Sequence, residues 1–461
     1  MNPAALLAPF ADRTVRVGLA GAGEFGASFL YRARVLRQLS VPAVADLDPE
    51  RARAACLASG LATETVAICD SRAAALAAFE AGRVAIVPDA ALLAELPLDV
   101  IVEATGNPES GARCAMLAIA AGKHIAMVSK EAHSVVGPIL QHKARAAGKV
   151  CTPVDGDQPS LLASLVTWAR TLGLEVVCAG KASEYDFVFD PASSSVRAIG
   201  ESRVSPAFAT VWDGAASAAP ARIAERARLL AGIRQRTPPD LCELGIVANA
   251  TGLTPDAPEL HAPIARTLEL VELLRPDGGL LARTGVVDMF NCYRRPDELS
   301  FAGGVFVVVA CDDRAAWRVI AGKGIPVSAD GRYALIHNPV HLLGLEAPYT
   351  LFGAAFLGHA STRERPVCDL VARAAGDLAA GTALQLAERH EIVGLAPMLA
   401  DAKPASGGAA VPYYMAAGRT LKRPVVAGAT LTMDDLDHPA DSMLWRLRAE
   451  QDQVFFGGRS R

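Results

Sequence analysis

Short apolar runs alternate with helical stretches over the first 150 residues of the chain. The apolar runs predict strands at residues 14–20, 42–46, 99–104 and 124–128, and the stretches between them predict helices at residues 24–39, 49–59 and 108–121. Strands that alternate with helices are typical of a parallel sheet with helices on both faces. We therefore expect an α/β fold with an N-terminal, doubly wound parallel sheet over residues 1–150.

The pattern becomes mixed further along the chain. Helical stretches at residues 160–172, 241–250 and 264–274 are interleaved with strand-like runs at residues 175–179 and 304–310. This mixture is typical of an α+β domain able to hold a substrate, which we place at residues 151–360. A weak repeat, at residues 373–384 and 421–432, has an apolar-Ala-Gly turn before a short strand and predicts a small β-rich domain at residues 361–461.

Composition narrows the class of protein. A chain of 461 residues is too long for one compact core, and 51% hydrophobic with 20% charged residues is an ordinary globular balance. A net charge of −4 offers no domain-sized basic face, so we expect no nucleic-acid partner. No apolar run reaches the ~20 residues of a membrane helix, and the N-terminus lacks signal-peptide features. Nine cysteines without a C-x-x-C pair favour reduced thiols in the cytoplasm and argue against zinc.

A glycine-rich motif stands between the first predicted strand and the first predicted helix. Gly21 permits a tight turn, Gly23 lets the backbone approach a pyrophosphate, and Gly26 allows the helix to pack closely on the strand. Glu24 and Phe25 lie within the same turn, where the helix N-terminus favours phosphate. The motif and its context predict a Rossmann domain that binds NAD(P)H.

An acidic residue ends the second predicted strand. Asp46 is placed to accept hydrogen bonds from ribose hydroxyls, which favours NAD over NADP. Arg51 follows closely and could instead pair with the 2′-phosphate of NADP. The residues therefore favour NAD only slightly.

Polar residues also follow two later predicted strands. Glu103, Thr105 and Gly106 close one strand, and Lys130 follows the next. Because ligands of open α/β sheets bind at the carboxyl ends of strands, we expect these four residues to line the cofactor site. Glu103 could equally cap a helix.

The segments 21–26, 103–106 and 129–131, in this order, resemble the homoserine dehydrogenase-like oxidoreductases. The segments 153–161, 179–186 and 247–253, with the C-terminal repeat, are similar to the subgroup that ends in a SAF domain. That subgroup includes the DXR-like proteins, alternative 1-deoxy-D-xylulose 5-phosphate reductoisomerases. The resemblance covers almost the whole chain. It implies an NAD(P)H-dependent homodimer with a small-molecule substrate held between the first two domains.

Such an enzyme needs a group that exchanges a proton with the substrate oxygen while hydride passes to or from the nicotinamide. We expect Lys130 or Lys181 to act as this general acid or base, which requires that burial lowers the pKa of the lysine. Glu184 or Asp186 would orient the lysine or bind substrate hydroxyls. Asn249 would hydrogen-bond the substrate or the nicotinamide amide.

Two carboxylates at positions i and i+2 raise the question of a metal. Asp155 and Asp157 resemble in their order the metal-binding acids of classical reductoisomerases, and could bind Mg²⁺ or Mn²⁺. Glu184, Asp186 and Glu243 are alternatives for a third ligand. Acids beside Gly and Pro also form ordinary turns.

The chain departs from the subgroup before residues 247–253, where a lysine is usual; Arg236 could replace it. The missing lysine weakens the expectation of a phosphorylated substrate. We expect an oxidoreductase acting on a small polyhydroxy ketone or aldehyde, 1-deoxy-D-xylulose 5-phosphate or a related compound. The alternatives are homoserine dehydrogenase and a non-catalytic sensor that retains the Rossmann fold.

Overall fold

The computed structural model describes residues 2–212, 219–310 and 312–457, which form two compact units. The first comprises Met1–Ser160, Leu342–Ala396 and Lys403–Arg461, and the second comprises Leu161–His341 and Pro397–Ala402. Most of the predicted C-terminal domain therefore belongs to the same unit as the N-terminal sheet.

The first unit is built on a seven-stranded parallel sheet with the order β3-β4-β2-β1-β5-β6-β7. Its strands are β1 (Val15–Ala20), β2 (Leu39–Ala45), β3 (Val66–Ile68), β4 (Val84–Val87), β5 (Val100–Glu103), β6 (His124–Met127) and β7 (Cys151–Pro153). Its helices up to this point are α1 (Pro3–Leu7), α2 (Glu24–Arg34), α3 (Pro49–Ala58), α4 (Arg72–Glu80), α5 (Ala90–Ala94), α6 (Pro108–Ala120) and α7 (Lys130–Ala146). The predicted doubly wound α/β sheet is confirmed.

The strand register places the ends of the central strands in one row. Ala20 of β1 lies opposite Ala45 of β2 on one side and Glu103 of β5 on the other. Glu103 lies opposite Met127 of β6, which in turn lies opposite Pro153 of β7. The residues that follow these five strands therefore leave the sheet at the same edge. The strand order changes direction at β1, so the switch point where such sheets bind ligands lies between β1 and β5.

Helix starts in this unit follow from local sequence. Asp48 and Asn107 precede α3 and α6, and each side chain accepts hydrogen bonds from backbone N–H groups of the following turn. Pro49 and Pro108 occupy the first helical positions, where no N–H is needed. The prediction of a helix up to residue 39 was wrong, because Leu39 pairs with Val15 as the first residue of β2.

The C-terminal part of the first unit packs against α6 and α7 through its last helix. Pro138 lies inside α7, where proline disturbs the helical hydrogen bonds. The side-chain amide of Gln451 accepts from the Ile139 N–H and donates to the Val135 carbonyl, so it satisfies the backbone at this point. The elements here are α14 (Ala347–Phe352), β17 (Cys368–Ala374), β18 (Ala383–Leu384), β20 (Arg419–Thr420) and α15 (Met443–Phe456), with β18–β20 as a small sheet. Strand β19 (Leu395–Asp401) begins in this unit and continues in the second.

The second unit contains a mixed sheet with the order β11-β10-β9-β14-β8-β15-β16, and β12 and β13 also pair with β14. Its strands are β8 (Glu175–Ala182), β9 (Phe187–Asp190), β10 (Ser195–Ala198), β11 (Glu201–Val204), β12 (Thr254–Pro255), β13 (Ile264–Ala265), β14 (Val286–Arg294), β15 (Val305–Ala310) and β16 (Tyr333–Asn338). Its helices are α8 (Gln158–Thr171), which begins in the first unit, α9 (Ala207–Trp212), α10 (Ala219–Leu229), α11 (Pro238–Thr251), α12 (Leu270–Leu273) and α13 (Arg314–Gly322). The predicted mixture of helices and strands is confirmed.

One predicted helix in this unit was wrong. Residues 264–274 begin with β13, whose Ile264 and Ala265 pair with Asn291 and Cys292 of β14, and only Leu270–Leu273 is α-helical. Strand pairing overrides the helical pattern here. The central strand β14 was not predicted at all.

None of the described helices is long and apolar enough to cross a membrane. Eight described cysteines are buried and free, and Cys311 lies outside the described residues.

Candidate functional site

The glycine motif forms the loop between β1 and α2. Gly21 has φ of +98°, and a Cβ there would lie 2.3 Å from the Ala104 carbonyl oxygen. A Cβ at Gly26 would lie 2.5 Å from the Gly21 carbonyl oxygen. A Cβ at Gly23, in contrast, would meet no atom of the described chain within 4 Å. Packing thus requires glycine at two of the three positions and leaves open space at the third.

Helix α2 begins directly at this open space. Gly23 is its N-cap and has no side chain to cap the first-turn N–H groups, which a phosphate-binding helix offers to its ligand. Glu24 is exposed beside them. Phe25 is buried in the core and stacks on Phe29, so its side chain supports the helix. The geometry fits the pyrophosphate of a dinucleotide.

Asp46 ties the end of β2 to the glycine loop. Its carboxylate accepts hydrogen bonds from the Ala22 and Asp48 N–H groups and from the Arg51 guanidinium, whose terminal nitrogen lies 2.6 Å from Oδ1. Burial raises the pKa of Asp46, but these hydrogen bonds and the charge of Arg51 outweigh burial and lower it. The Arg51 side chain is more than half exposed. An acceptor for ribose hydroxyls and a cation for a 2′-phosphate therefore occupy the same place.

Glu103 joins the ends of β5 and β6. It is fully buried, and its Oε1 accepts hydrogen bonds from the Thr105 N–H and hydroxyl and from the Ser129 hydroxyl. The Ser129 oxygen in turn accepts from the Gly106 N–H. Burial raises the pKa of Glu103, against the effect of these hydrogen bonds. Glu103 positions the loop, whereas Thr105 is exposed and Gly106 half-exposed where a cofactor would bind.

Two ion pairs stand side by side where α7 begins. Nζ of Lys130 lies 3.2 Å from Oδ1 of Asp157, and the lysine side chain is 18% exposed. Oε1 of Glu131 lies 3.0 Å from Nδ1 of His390. Sequence reasoning missed His390, because a short charged run such as residues 388–391 ordinarily indicates a solvated turn.

Asp155 and Asp157 do not fit the expected divalent-cation site. Asp155 accepts a hydrogen bond from the Thr350 hydroxyl, whereas Asp157 pairs with Lys130, so the carboxylates have different partners and one already faces a cation. Among residues 2–212, 219–310 and 312–457, no group of three or more His, Cys, Asp or Glu side chains could hold a metal ion. Two of the three candidate third ligands already pair with cations, Glu243 with Lys181 and Asp186 with Arg294.

Lys181 is a buried cation in the second unit. It extends from β8, and Nζ donates to Oδ1 of Asp240 at 2.8 Å and to Oε2 of Glu243, both on α11. All three side chains are buried. Burial alone would lower the pKa of Lys181, but the two carboxylates outweigh burial and raise it. The lowered pKa expected of a catalytic lysine is not found.

The other residues expected to act with Lys181 have different surroundings. Glu184 is exposed in the bend after β8. Asp186 pairs with Arg294 of β14, although its buried Oδ1 has no hydrogen-bond partner among the described residues. Asn249 is buried on α11.

A strained loop lies between β12 and β13. Leu260 and Ala262 have φ of 60° and 46°, which non-glycine residues seldom adopt. The guanidinium of Arg236 donates to the carbonyls of Leu260 and His261. Arg236 is thus engaged in holding this loop. Backbone strain held in place by several contacts is a recognised mark of functional loops.

The strained loop presents His261 between two carboxylates. Nδ1 of His261 lies 2.6 Å from Oδ2 of Asp288, on β14, and Nε2 lies 3.6 Å from Oδ2 of Asp256. The hydrogen bond to Asp288 raises the pKa of His261, burial opposes it, and Asp256 adds to the rise. The ring is 22% exposed. This pair was not expected from the sequence, because β14 itself was missed.

Two family models match the chain. Residues 156–347 match the model described as oxidoreductase DRL, catalytic domain, and residues 35–152 match the model described as homoserine dehydrogenase, NAD binding domain. No curated protein matches. The glycine motif, residues 21–26, lies just before residues 35–152, the range that matches the NAD-binding model.

Solved structures share only part of the chain. Myo-inositol dehydrogenase from Lactobacillus casei is 18% identical, with a TM-score of 0.28, 37% of this chain covered and 46% of the other. A DOX-P reductoisomerase in complex with magnesium is 15% identical, with a TM-score of 0.28 and coverages of 37% and 46%. The chain spans less than half the length of these structures. The two matches indicate similarity to an NAD-binding domain over residues 35–152 and to an oxidoreductase catalytic domain over residues 156–347.

Proposed function

We propose that the protein is an NAD(P)-dependent oxidoreductase that transfers hydride between nicotinamide C4 and the carbinol or carbonyl carbon of a small polyhydroxy ketone or aldehyde. The observation that carries this proposal is Gly23. The fold does not need glycine there, since a Cβ would enter open space at the N-terminus of α2. A pyrophosphate in that space explains why the side chain is absent.

The nicotinamide half of the cofactor extends along the switch point toward the ends of β5 and β6. Thr105 and Gly106 lie there, held by the Glu103 network. Lys130 follows at the start of α7, and we propose that it hydrogen-bonds the reacting oxygen, with Asp157 fixing its position.

The proton that accompanies hydride has a second candidate donor. His261 has a partly exposed ring held by Asp288, and the hydrogen bond to this carboxylate raises the pKa of the histidine and favours its protonated form, which suits a group that donates a proton to a developing alkoxide. Lys181 is less suited, because it is buried and paired on both sides. We assign Lys181 to the positioning of α11, and Glu184 and Asn249 to substrate hydroxyls.

The first substrate candidate is 1-deoxy-D-xylulose 5-phosphate, which follows from the resemblance of the sequence to the DXR-like proteins. The match over residues 156–347 supports an oxidoreductase catalytic domain and names no substrate. Aspartate semialdehyde, the substrate of a homoserine dehydrogenase, is the second candidate, since the NAD-binding match carries that description. A non-catalytic sensor would bind the cofactor but would not oxidise it with any of these substrates.

The test is nicotinamide oxidation by the purified protein. NADH and NADPH are offered with 1-deoxy-D-xylulose 5-phosphate, aspartate semialdehyde and unphosphorylated ketoses, each with and without Mg²⁺ or Mn²⁺. Turnover of one substrate that falls strongly in Lys130→Gln, but not in the exposed-lysine control Lys422→Gln, supports the proposal. Failure to bind either cofactor contradicts it. Binding without turnover of any carbonyl substrate favours the sensor.

A further inference from the structure

One turn from the C-terminal part of the first unit contacts residues that follow the carboxyl ends of the parallel strands. This turn, residues 388–390, contains two consecutive non-glycine residues in the left-handed region, Arg389 with φ of 57° and His390 with φ of 59°. Such residues are disfavoured in this conformation, and two in succession require contacts that hold them. The contacts of His390 stabilise the turn in this conformation.

His390 meets the residues that follow β5 and β6. Its Nδ1 lies 3.0 Å from Oε1 of Glu131, in the first turn of α7. Its Cε1 would lie 3.1 Å from a Cβ at Gly106, whose φ is +65°. A side chain at position 106 would therefore crowd the imidazole. Glycine at this position serves the approach of His390 as well as the turn itself.

The imidazole is held by Glu131 and by the Gly106 backbone, and it is still partly exposed to solvent. Its side chain is 43% exposed, whereas the Glu131 side chain is 5% exposed. The two contacts of the imidazole, Gly106 and Glu131, follow β5 and β6, the neighbouring strands that end at Glu103 and Met127. Lys130 of the Lys130–Asp157 pair directly precedes Glu131. In a sheet of this topology the nicotinamide half of a dinucleotide lies at this edge.

We propose that the turn at residues 388–390 forms part of the nicotinamide site and that His390 contacts the nicotinamide-ribose half of the cofactor. This inference rests on the proposed function. The exposed part of the ring would contact a ribose hydroxyl or the carboxamide. The C-terminal part of the chain thus completes the cofactor site.

A purely structural turn is the competing explanation. A turn that only anchors the C-terminal part would be built more easily with glycine or asparagine at the left-handed positions. It would also have no need of a histidine that leaves nearly half its side chain in solvent while its partner carboxylate is buried.

The experiment compares two probes, ADP and the nicotinamide cofactor that the wild type binds more tightly. His390→Asn removes the imidazole and keeps a residue that tolerates a left-handed backbone. His142→Asn, on the exposed face of α7, is the matched control. Thermal unfolding of each variant verifies the fold. We expect His390→Asn to weaken binding of the nicotinamide cofactor about tenfold, as for the loss of one hydrogen bond to a polar ligand. The affinity for ADP should change by less than about twofold.

The possible results separate the two proposals. Unchanged binding of both probes by His390→Asn overturns the inference. Equal weakening of both probes also overturns it, since the turn would then act only through the fold. A wild-type protein that binds neither probe contradicts the proposed function itself.

Discussion

Lys181 of β8 donates a hydrogen bond to Asp240 of α11 across 2.8 Å, and both side chains are buried. Glu243, one helical turn further, accepts from the same Nζ. A cation between two carboxylates resists losing its proton, which is the reverse of what a lysine base requires. The site that the sequence marked as catalytic thus has the electrostatics of a structural connection between strand and helix.

Lys181→Met should destabilise the protein strongly. It leaves two carboxylates buried without their cation, and breaking a buried pair costs about 3–5 kcal/mol of unfolding free energy. Urea unfolding measures the loss, with Lys323→Met, an exposed lysine after α13, as the control. A stable Lys181→Met protein with lost turnover would return Lys181 to catalysis.

Gly23→Ala and Gly21→Ala should separate binding from folding. The Cβ at position 23 enters open space, so the variant keeps its stability but loses about tenfold or more in cofactor affinity through the blocked phosphate space. The Cβ at position 21 meets the Ala104 carbonyl, and its φ is positive, so unfolding free energy falls by about 2 kcal/mol or more. Denaturation curves and cofactor titrations measure both. Normal cofactor binding by Gly23→Ala would contradict the assignment.

The parallel sheet could be predicted because residues adjacent in the sequence determine each of its strands, turns and helices. The run from Val15 to Ala20 and the glycines after it predict a strand, a turn and a helix from adjacent residues. Strand β14 could not be predicted in this way. Asp288 and Asn291 interrupt its apolar pattern, and both are buried with partners in the loop before β13.

The candidate site was only partly predictable for a related reason. Asp46 and Lys130 follow strands, so topology alone brings them to one edge. His390 belongs to a turn far along the chain, and its charged neighbours in the sequence predict only a solvent-exposed turn. The partner of Asp157 could not be inferred either, because a carboxylate two residues from another suggests a metal as readily as a lysine.

Arg51→Ala should shift cofactor preference toward NADH. Arg51 is the exposed cation beside Asp46, so its loss removes the partner of a 2′-phosphate and leaves the carboxylate that accepts from ribose hydroxyls. A hydrogen bond to a charged group is worth about 1.5–3 kcal/mol, so NADPH affinity should fall by about tenfold or more. Titrations with both cofactors measure the ratio, with Arg53→Ala on the same helix as the control. Equal losses for NADH and NADPH would contradict this role.

His261→Gln should remove a pH dependence of stability. The hydrogen bond to Asp288 raises the pKa of His261 in the folded protein, while Arg236 nearby opposes it and Asp256 supports it. A raised folded pKa means that protonation favours the folded state. This contribution is therefore fully present below the ordinary pKa of about 6.5, and it is lost as pH rises through the raised value.

The measurement is the melting temperature of wild type and His261→Gln between about pH 6 and pH 9, a range in which a histidine with a raised pKa titrates. The advantage of the wild type should shrink as pH increases, and Asp288→Asn, which removes the partner that raises the pKa, should flatten the dependence as well. If His261 also donates the proton in turnover, kcat/KM should fall over the same pH range in the wild type and be low and flat in His261→Gln. A melting-temperature difference that stays constant with pH would show that the His261–Asp288 pair does not titrate as the geometry requires.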